Sequence, residues 1–385
     1  LILTLGDRNS RFREGDMICL HQGDALDAPF VRQATIEAEY DGEWLVRAFD
    51  FNADKVREVV GDCYADPDGM DLKPFFDTAL SDIASSKIGM EVILPLLGGQ
   101  LDAGHIYADN YDDAADYAEE QGLNEDQIDA TGKGVAAQYL TCIQGPPGSG
   151  KTKVISLIAK LLVDDGRCVL LTSHTHMAIN NALNQIKKQG VPVIKVGAAG
   201  CTKGLNEGVR RFDQGSDWED RPDRGYVIGA TPFATCTSRL ENFEFDTVIF
   251  DEASQVTVPL AVMAMRKARR YVFVGDHKQL PPVVLSKSVL DDNCYSVFSQ
   301  LIAGNEKTSV RLTQTYRLNH DLSRWPSQQY YENRLESVGA NSKRMFTLSK
   351  PDKHADVLSK EHSFVYLKNQ GAAPGQSKSI WSSAE

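Results

Sequence analysis

The chain has 385 residues and a formal net charge of −12, from 53 acidic and 41 basic side chains. This balance excludes a uniformly basic nucleic-acid binder, so any nucleic-acid partner has to be held by a local basic groove. Hydrophobic residues make up 42% and charged residues 24%, which is typical of a globular protein and excludes wholesale disorder. The most apolar stretch, residues 90–97, is shorter than the roughly 18 to 20 residues of a membrane helix, so a membrane-spanning protein is excluded as well.

The chain begins with Leu1 rather than with a methionine, and no basic-then-apolar signal segment follows. We therefore expect a soluble segment of a longer polypeptide. Seven cysteines are scattered without a Cys-x-x-Cys pair, and some of them, such as Cys142, lie inside apolar runs. This pattern favours reduced cysteines in an intracellular protein over a metal site or a disulfide framework.

The first third of the chain changes from a β pattern to a helical one. Residues 31–40 and 43–49 are two half-apolar runs joined by Asp41-Gly42, which predicts a hairpin in a small barrel or sheet. Residues 72–97 have apolar side chains at helical spacing. Residues 88–132 then contain eleven acids and no lysine or arginine, which indicates a solvated loop and helix face. The alternative is an acidic flap that mimics or repels a phosphate backbone.

After residue 132, short β-rich runs alternate with helix-length amphipathic segments. The predicted strands are residues 139–144, 168–172, 191–196, 225–228, 247–250, 270–274 and 310–312. Because these runs are apolar on both faces, they predict an α/β fold in which helices cover both sides of a parallel sheet.

A glycine-rich segment follows the first of these strands and precedes a predicted helix at 153–163. It reads Gly145-Pro146-Pro147-Gly148-Ser149-Gly150-Lys151-Thr152. This placement is that of a phosphate-binding P-loop, whose backbone amides and helix N-terminus would hold the β-phosphate of ATP. Lys151 would neutralise the β- and γ-phosphates, and the Thr152 hydroxyl would ligate Mg²⁺.

Carboxylates follow the strand at 247–250. Asp251 and Glu252 would lie on the same edge of the sheet as the P-loop, with Asp251 serving Mg²⁺ and Glu252 acting as the general base. The next strand leads into the sequence Gly-Asp-His-Lys-Gln-Leu-Pro-Pro at residues 275–282. The amide of Gln279 in this segment could sense a γ-phosphate or orient water.

The three segments GPPGSGKT, DEASQ and GDHKQLPP resemble, in this order, motifs I, II and III of superfamily 1B helicases, the group that contains the nonsense-decay helicase and the Dna2-type helicase-nuclease. The resemblance extends from about Gly122 to Leu335 and implies a RecA-like fold. Residues 123–127 are similar to the Q motif, which implies that Gln127 reads the adenine. Thr315-Tyr316-Arg317-Leu318 is similar to the segment whose arginine, here Arg317, reaches the γ-phosphate; Thr315 replaces the usual glutamine.

The same resemblance implies contacts to a single strand. Residues 171–180 resemble the motif Ia of Dna2-type proteins, and Gly229-Ala230-Thr231 resembles the next strand-binding motif. The implied nucleic-acid contacts are Ser173, His174, Thr175, Asn180, Gly229 and Thr231. Asn180 stands where these relatives usually carry aspartate. Each short motif alone is also compatible with a helix cap or a turn.

Several residues admit two interpretations. His174, His176 and His277 could form a zinc cluster, but no cysteine or carboxylate follows them at ligand spacing. The basic run at 266–270 indicates a helix end, or else a surface that follows phosphates. Trp218 and Trp325 could stack on bases, although we expect Trp325 to pack in the core.

The resemblance predicts four parts. They are a β-barrel-like accessory subdomain at 1–70, a helical stalk and acidic linker at 71–121, a RecA-like ATPase domain at 122–345, and at 346–385 the start of a connection to a second RecA-like domain absent from this chain. The implied function is ATP-dependent helicase or translocase activity, 5′ to 3′, on single-stranded nucleic acid, with DNA favoured over RNA. A nucleotide-gated binding module is the main alternative, and a small-molecule P-loop kinase is a more distant one.

Overall fold

The computed structural model describes residues 2–4, 12, 16–21, 31–40, 42–48, 64–67, 72–282, 296–344 and 363. The predicted connection at 346–385 thus lies almost entirely outside the described residues. Within the described part, every helix is too short or too polar to cross a bilayer.

An antiparallel sheet of five strands forms the N-terminal part. Its strands are β1 Ile2–Thr4, β2 Met17–His21, β3 Val31–Tyr40, β4 Glu43–Ala48 and β5 Tyr64–Pro67. The order is β1-β4-β3-β2-β5, so the predicted hairpin is confirmed as the β3–β4 pair. Gly42 adopts a φ of 81° at the turn, where a side chain would be strained. No ladder between described residues joins β1 to β5, so these strands form an open sheet.

Helices separate this sheet from the second one. They are α1 Lys73–Ser85, a π-helix Gly89–Ile93, α2 Leu94–Leu97, α3 Ala108–Glu120 and α4 Glu125–Ala136. In α3, Ala114 and Ala118 are buried, whereas the acidic side chains lie on the exposed side. The acidic side chains of α3 therefore form a solvated helix face, as expected.

The second sheet has eight parallel strands. They are β6 Leu140–Gln144, β7 Cys168–Thr172, β8 Val193–Val196, β9 Arg210–Phe212, β10 Tyr226–Gly229, β11 Thr247–Phe250, β12 Arg270–Gly275 and β13 Ser309–Arg311. The order is β13-β6-β12-β11-β7-β10-β8-β9. All seven predicted strands are present, and β9 was not predicted. Two short strands, β14 Gln314–Thr315 and β15 Glu336–Ser337, pair separately.

Both faces of this sheet are covered. The helices are α5 Lys151–Asp164, α6 His176–Lys188, α7 Val258–Met265, α8 Val297–Gly304 and α9 His320–Tyr330. Ile158 of α5 and Leu183 of α6 belong to the core on one face, whereas Ala261 of α7 and Phe298 of α8 belong to the core on the other. The fold is therefore the P-loop α/β fold with a RecA-like parallel sheet that the sequence predicted.

Trp325 is placed contrary to expectation, and Trp218 is buried. Trp325 does not pack in the core, because its side chain is 59% exposed on α9 and meets Tyr330 edge to face. Trp218 is only 5% exposed and packs against Tyr226 at a ring distance of 5.8 Å.

The basic run after α7 is a helix end. Arg266 donates to the carbonyl of Thr235, Lys267 to that of Glu241 and Arg270 to that of Val135. Because these cations hold the backbone of neighbouring segments, the alternative of a phosphate-following surface has no support in their contacts.

Candidate active site

The candidate site lies where the parallel strands end. Strands β6, β12, β11 and β7 are successive neighbours in the sheet. Their carboxyl ends meet at one edge, so the loops that begin at residues 145, 276, 251 and 173 leave the sheet side by side.

The P-loop takes a shape that depends on glycine. Gly148 and Gly150 adopt φ values of 78° and 85°, and Gly150 caps α5, which begins at Lys151, two residues before the predicted start. A Cβ on Gly148 would lie 2.3 Å from the Cβ of Arg317, so no other residue fits there. The Nζ of Lys151 donates to the carbonyl of Gly145 at 2.8 Å, which curls the lysine back over its own loop.

Gln127 supports the P-loop from below. It is 4% exposed, and its amide nitrogen donates to the carbonyl of Ser149 at 2.9 Å. Its side-chain oxygen accepts from the backbone of Asn124, while the Asn124 side chain accepts from the backbone of Gln127. This capping box fixes the start of α4, so Gln127 joins α4 to the loop. Its predicted contact with adenine stays a prediction.

The two carboxylates after β11 lie beside the P-loop. Asp251 is 5% exposed, and burial, followed by the nearby Glu252, raises its pKa to about 7, against an opposing effect of Lys151. Glu252 has a left-handed backbone with a φ of 50°, which is uncommon for this residue type. Its N–H donates to Asp251 Oδ1 at 2.9 Å, and this bond turns the chain sharply at the strand end.

A buried network around Asp276 holds the segment that contains Gln279. Asp276 is fully buried; its Oδ2 accepts from Gln279 Nε2 at 2.9 Å and from the Tyr331 hydroxyl at 2.6 Å, and its Oδ1 accepts from Gln144 Nε2 at 3.2 Å. Burial and this bond raise the pKa of Tyr331. The sequence did not single out Asp276, Tyr331 or Gln144. The sequence feature that could have identified Asp276 as a site residue is its position directly after a buried strand.

The segment with Arg317 is bonded to the P-loop itself. The Thr315 hydroxyl donates to the carbonyl of Pro147 at 2.8 Å, and the backbone N–H of Tyr316 donates to the carbonyl of Gly148 at 2.9 Å. Arg317 is exposed at this position. The structure thus brings Arg317 to the same loop as Lys151.

Two of the residues predicted to contact single-stranded nucleic acid lie at the surface, on the neighbouring part of the same sheet edge. Thr175 is exposed and caps α6, with its hydroxyl oxygen accepting from the Ala178 N–H at 3.3 Å. Thr231 is half-buried and precedes the short 3₁₀ helix Pro232–Cys236. A capping hydroxyl still has a proton to donate, so both threonines can contact a phosphate.

Two others lie deeper at the end of β7 and in the loop after it. Ser173 is buried, and no described residue bonds its hydroxyl. His174 is half-buried, and burial lowers its pKa against the opposing effect of Glu252, which places the ring near that carboxylate. These two residues therefore lie close to the same edge of the sheet without being freely exposed.

Asn180 and Gly229 do not lie at the surface. The buried Asn180 amide donates to the carbonyls of Cys201 and Lys203, both at 3.0 Å, so it fastens a loop. Gly229 ends β10 beneath α6, where a Cβ would come within 2.5 Å of Leu183. Packing uses both positions, so the predicted contact of these two residues with a single strand stays a prediction that their own contacts do not support.

The three histidines of the zinc alternative are all partly buried, and burial is the main cause that lowers the pKa of each: His174, His176 and His277. Across the described ranges, no three histidine, cysteine or carboxylate side chains gather in a metal-binding arrangement. Cys142, Cys168, Cys201 and Cys236 are free thiols.

The chain is similar to known proteins over the region of this site. A family profile described as an AAA domain matches residues 122–225 and 219–287. Over 265 residues the chain is 31% identical to the DNA replication ATP-dependent helicase/nuclease dna2 of Schizosaccharomyces pombe, covering 66% of this chain and 19% of that protein. It is 32% identical over 227 residues to the DNA2 protein of the same description from Xenopus laevis, covering 56% and 21%. The chain thus spans about a fifth of the length of these relatives.

A crystal structure of Arterivirus nonstructural protein 10, a helicase, is 15% identical, with a TM-score of 0.40 over 86% of this chain and 56% of that chain. The fold assignment depends on the strand order of the eight-stranded parallel sheet and not on this likeness. The family assignment depends on the matched AAA domain, on the identity to the two relatives and on the P-loop together with the two motifs that follow it in the chain. The chain therefore carries a helicase domain of the Dna2-like superfamily 1B.

Proposed function

We propose that this chain is the first RecA-like part of an ATP-dependent translocase or helicase that acts on single-stranded nucleic acid. The observation that carries the proposal is the attachment of the Arg317 segment to the P-loop through Thr315 and Tyr316, next to Asp251 and Glu252 at the neighbouring strand ends. These residues surround one loop although they come from three distant parts of the chain.

The residues present fit ATP with Mg²⁺. The positive-φ glycines Gly148 and Gly150 leave backbone amides open around the N-terminus of α5, where phosphate binds favourably. Residues 145–152 would hold the phosphates, with Lys151 as their fixed cation. The buried carboxylate of Asp251 has a pKa raised to about 7 despite the opposing effect of Lys151, so a bound cation would further stabilise its charged form. Thr152 and Asp251 would hold Mg²⁺, which would neutralise phosphate charge.

Three side chains would then act on the reaction. Glu252 would accept a proton from the attacking water, since it follows Asp251 directly at the end of β11, beside the P-loop. Gln279, held by Asp276, would orient that water or sense the γ-phosphate. Arg317 would stabilise charge on the γ-phosphate. Gln127 is proposed for adenine recognition in addition to its bond to the P-loop.

A single strand would lie across the edge formed by the ends of β7 and β10. Thr175 and Thr231 would donate to backbone phosphates, with Ser173 and His174 beneath them. DNA is the proposed substrate because residues 171–180 resemble Dna2-type proteins. The proposed direction is 5′ to 3′, because the resemblance to superfamily 1B helicases implies it. The two relatives are DNA replication ATP-dependent helicase/nucleases, which agrees with the choice of DNA.

The division of the chain follows the same proposal. Residues 1–70 would be an accessory subdomain, 71–121 a stalk and linker, and 122–345 the ATPase domain. Because Lys151, Gln279 and Arg317 belong to one domain and would approach the nucleotide from one side, a second RecA-like domain would have to supply the other wall of the cleft, including a further arginine.

Steady-state ATP hydrolysis tests the proposal. The 385-residue chain should hydrolyse ATP slowly, with or without an oligodeoxythymidylate, although it binds a fluorescent ATP analogue. A longer chain that includes the second RecA-like domain should hydrolyse ATP faster when single strands are added, and Glu252→Gln should abolish that turnover while keeping nucleotide binding. Strand-stimulated turnover by the 385-residue chain alone would refute the two-domain account and indicate a self-sufficient ATPase.

A further inference from the structure

Lys195 is a buried cation that the proposed ATP site does not use. It lies in β8 and is 0% exposed. Because side chains alternate along a strand, Lys195 is on the same side of the sheet as Val193, whose core includes Ile179 and Leu183 of α6. The lysine therefore extends beneath α6.

The end of the Lys195 side chain lies beside the first residue of α6. A Cβ built on Gly197 would be 3.8 Å from Lys195 Cε, 3.9 Å from His176 Cε1 and 4.0 Å from Cys201 Cβ. One small volume thus borders the lysine, the histidine that begins α6, and the loop that follows β8. The positive charge of Lys195 and Arg239 contributes to lowering the pKa of His176, after burial itself.

Nothing in the described part of the chain neutralises this lysine by a hydrogen bond. Its Nζ is buried without an acceptor among the described residues, and burial lowers its pKa to about 8 against an opposing effect of Cys201. Asn180 is bonded to the loop that contains Cys201, but it contributes an uncharged amide whose nitrogen is already used by that loop and whose oxygen has no donor among the described residues. An ammonium that is buried without a hydrogen-bond acceptor is costly, so its presence here favours an anionic ligand nearby.

The N-terminus of α6 provides the surface at which such an anion can bind. Thr175 caps this 13-residue helix. Its hydroxyl oxygen accepts a hydrogen bond from the N–H of Ala178, and its carbonyl oxygen accepts one from the N–H of Ile179. The N–H groups of His176 and Met177 then have no acceptor within the helix. The positive end of the helix and the charge of Lys195 beneath it act in the same direction.

We propose that Lys195 is the buried cation of a phosphate subsite at the N-terminus of α6, and that this subsite takes a backbone phosphate of the single strand. The inference rests on the proposed function, which places the strand on this edge. The phosphate would bind from solvent at Thr175 and the first turn of α6, while Lys195 attracts it from below. Because the charge lies inside the protein, salt screens it less than it screens a surface lysine.

The test compares two lysine-to-methionine variants for binding of a fluorescein-labelled oligodeoxythymidylate, measured by anisotropy. Lys195→Met should weaken binding about tenfold, because a nearby buried charge is lost. Lys187→Met removes an exposed lysine from the last turn of the same helix. Because salt screens a charge at the surface, this variant should change the affinity less than twofold. Binding of a fluorescent ATP analogue should be the same in both variants.

Thermal unfolding separates loss of the subsite from loss of the fold. Lys195→Met should be at least as stable as the wild type, because it replaces an uncompensated buried charge by an apolar chain of similar length. If it fails to fold, Lys195→Gln, which also lacks the charge, should show the same weakening. If the folded variant binds the oligonucleotide as tightly as the wild type, the subsite is refuted and the proposed function stands. If the wild type itself binds no oligonucleotide, both are refuted.

Discussion

Thr315 donates a hydrogen bond to the carbonyl oxygen of Pro147 at 2.8 Å, and this bond joins two segments 168 residues apart. Thr315 is fully buried at this contact. The backbone N–H of Tyr316 also donates to the carbonyl of Gly148, so two hydrogen bonds attach this segment to the P-loop. The shape of the P-loop and the position of Arg317 are thus determined together, so a change at Thr315 should affect both.

Thr315→Val should destabilise the protein and weaken nucleotide binding. The change keeps the side-chain shape but leaves the Pro147 carbonyl without its buried donor, at a cost of about 1–3 kcal/mol in the free energy of unfolding. Urea unfolding and titration with a fluorescent ATP analogue would measure the two effects. Thr315→Ser, which retains the hydroxyl, is the matched control; equal behaviour of the two variants would show that the bond to Pro147 contributes little.

Replacing Thr175 and Thr231 together by alanine should weaken single-strand binding and leave ATP binding unchanged, because both hydroxyls lie at strand ends beside the P-loop and not in it. Few phosphates would be neutralised at this edge, so the logarithm of affinity should fall gently with the logarithm of salt, at about 0.7 for each of roughly two to four phosphates. Anisotropy of a labelled oligonucleotide at several salt concentrations measures both quantities. Thr78→Ala, at an exposed position of α1, is the control. If the double variant binds as well as this control, Thr175 is only a helix cap.

His176 should make the protein less stable in mild acid. Burial, and then the charges of Lys195 and Arg239, lower its pKa in the folded state from 6.5 to about 4. Between these values the unfolded chain binds a proton that the folded chain does not, so stability decreases as the pH falls from about 6.5 to about 4 and is fully retained above this range. His176→Gln removes the titrating group. Denaturant unfolding at pH 7.5 and pH 5 should therefore show a smaller loss for His176→Gln than for the wild type, and equal losses would contradict the assignment.

The parallel sheet could be predicted from the sequence because each buried strand is a continuous apolar run that periodicity detects. Strand β9 was missed because residues 210–212 contain two arginines and a single apolar residue, and it forms only as the edge partner of β8. The P-loop was predictable for a different reason: its glycines and the Lys151-Thr152 pair are local, so strand, loop and helix follow from adjacent residues.

Side chains whose position depends on distant packing could not be predicted in this way. Trp325 was expected in the core, but α9 buries the small Ser323 and Ser327, which lie one turn apart, and the tryptophan between them points to the opposite side. Asn180 was predicted to contact a single strand. Its hydrogen bonds go to a loop more than twenty residues later in the chain, so no local pattern reveals its packing role. Gln127 was expected to face adenine, and its bond to the P-loop is likewise invisible in a local pattern.

Nucleotide binding with Mg²⁺, measured by titration calorimetry on three proteins, tests the central claim most directly. The wild-type chain should bind a non-hydrolysable ATP analogue more tightly with Mg²⁺ than without it. Glu252→Gln should bind similarly, because Glu252 is proposed for turnover and not for binding, whereas Lys151→Ala should lose measurable affinity, because the phosphates lose their fixed cation. Retention of wild-type affinity by Lys151→Ala, in a protein whose thermal unfolding matches that of the wild type, would contradict the assignment of residues 145–152 as the phosphate site.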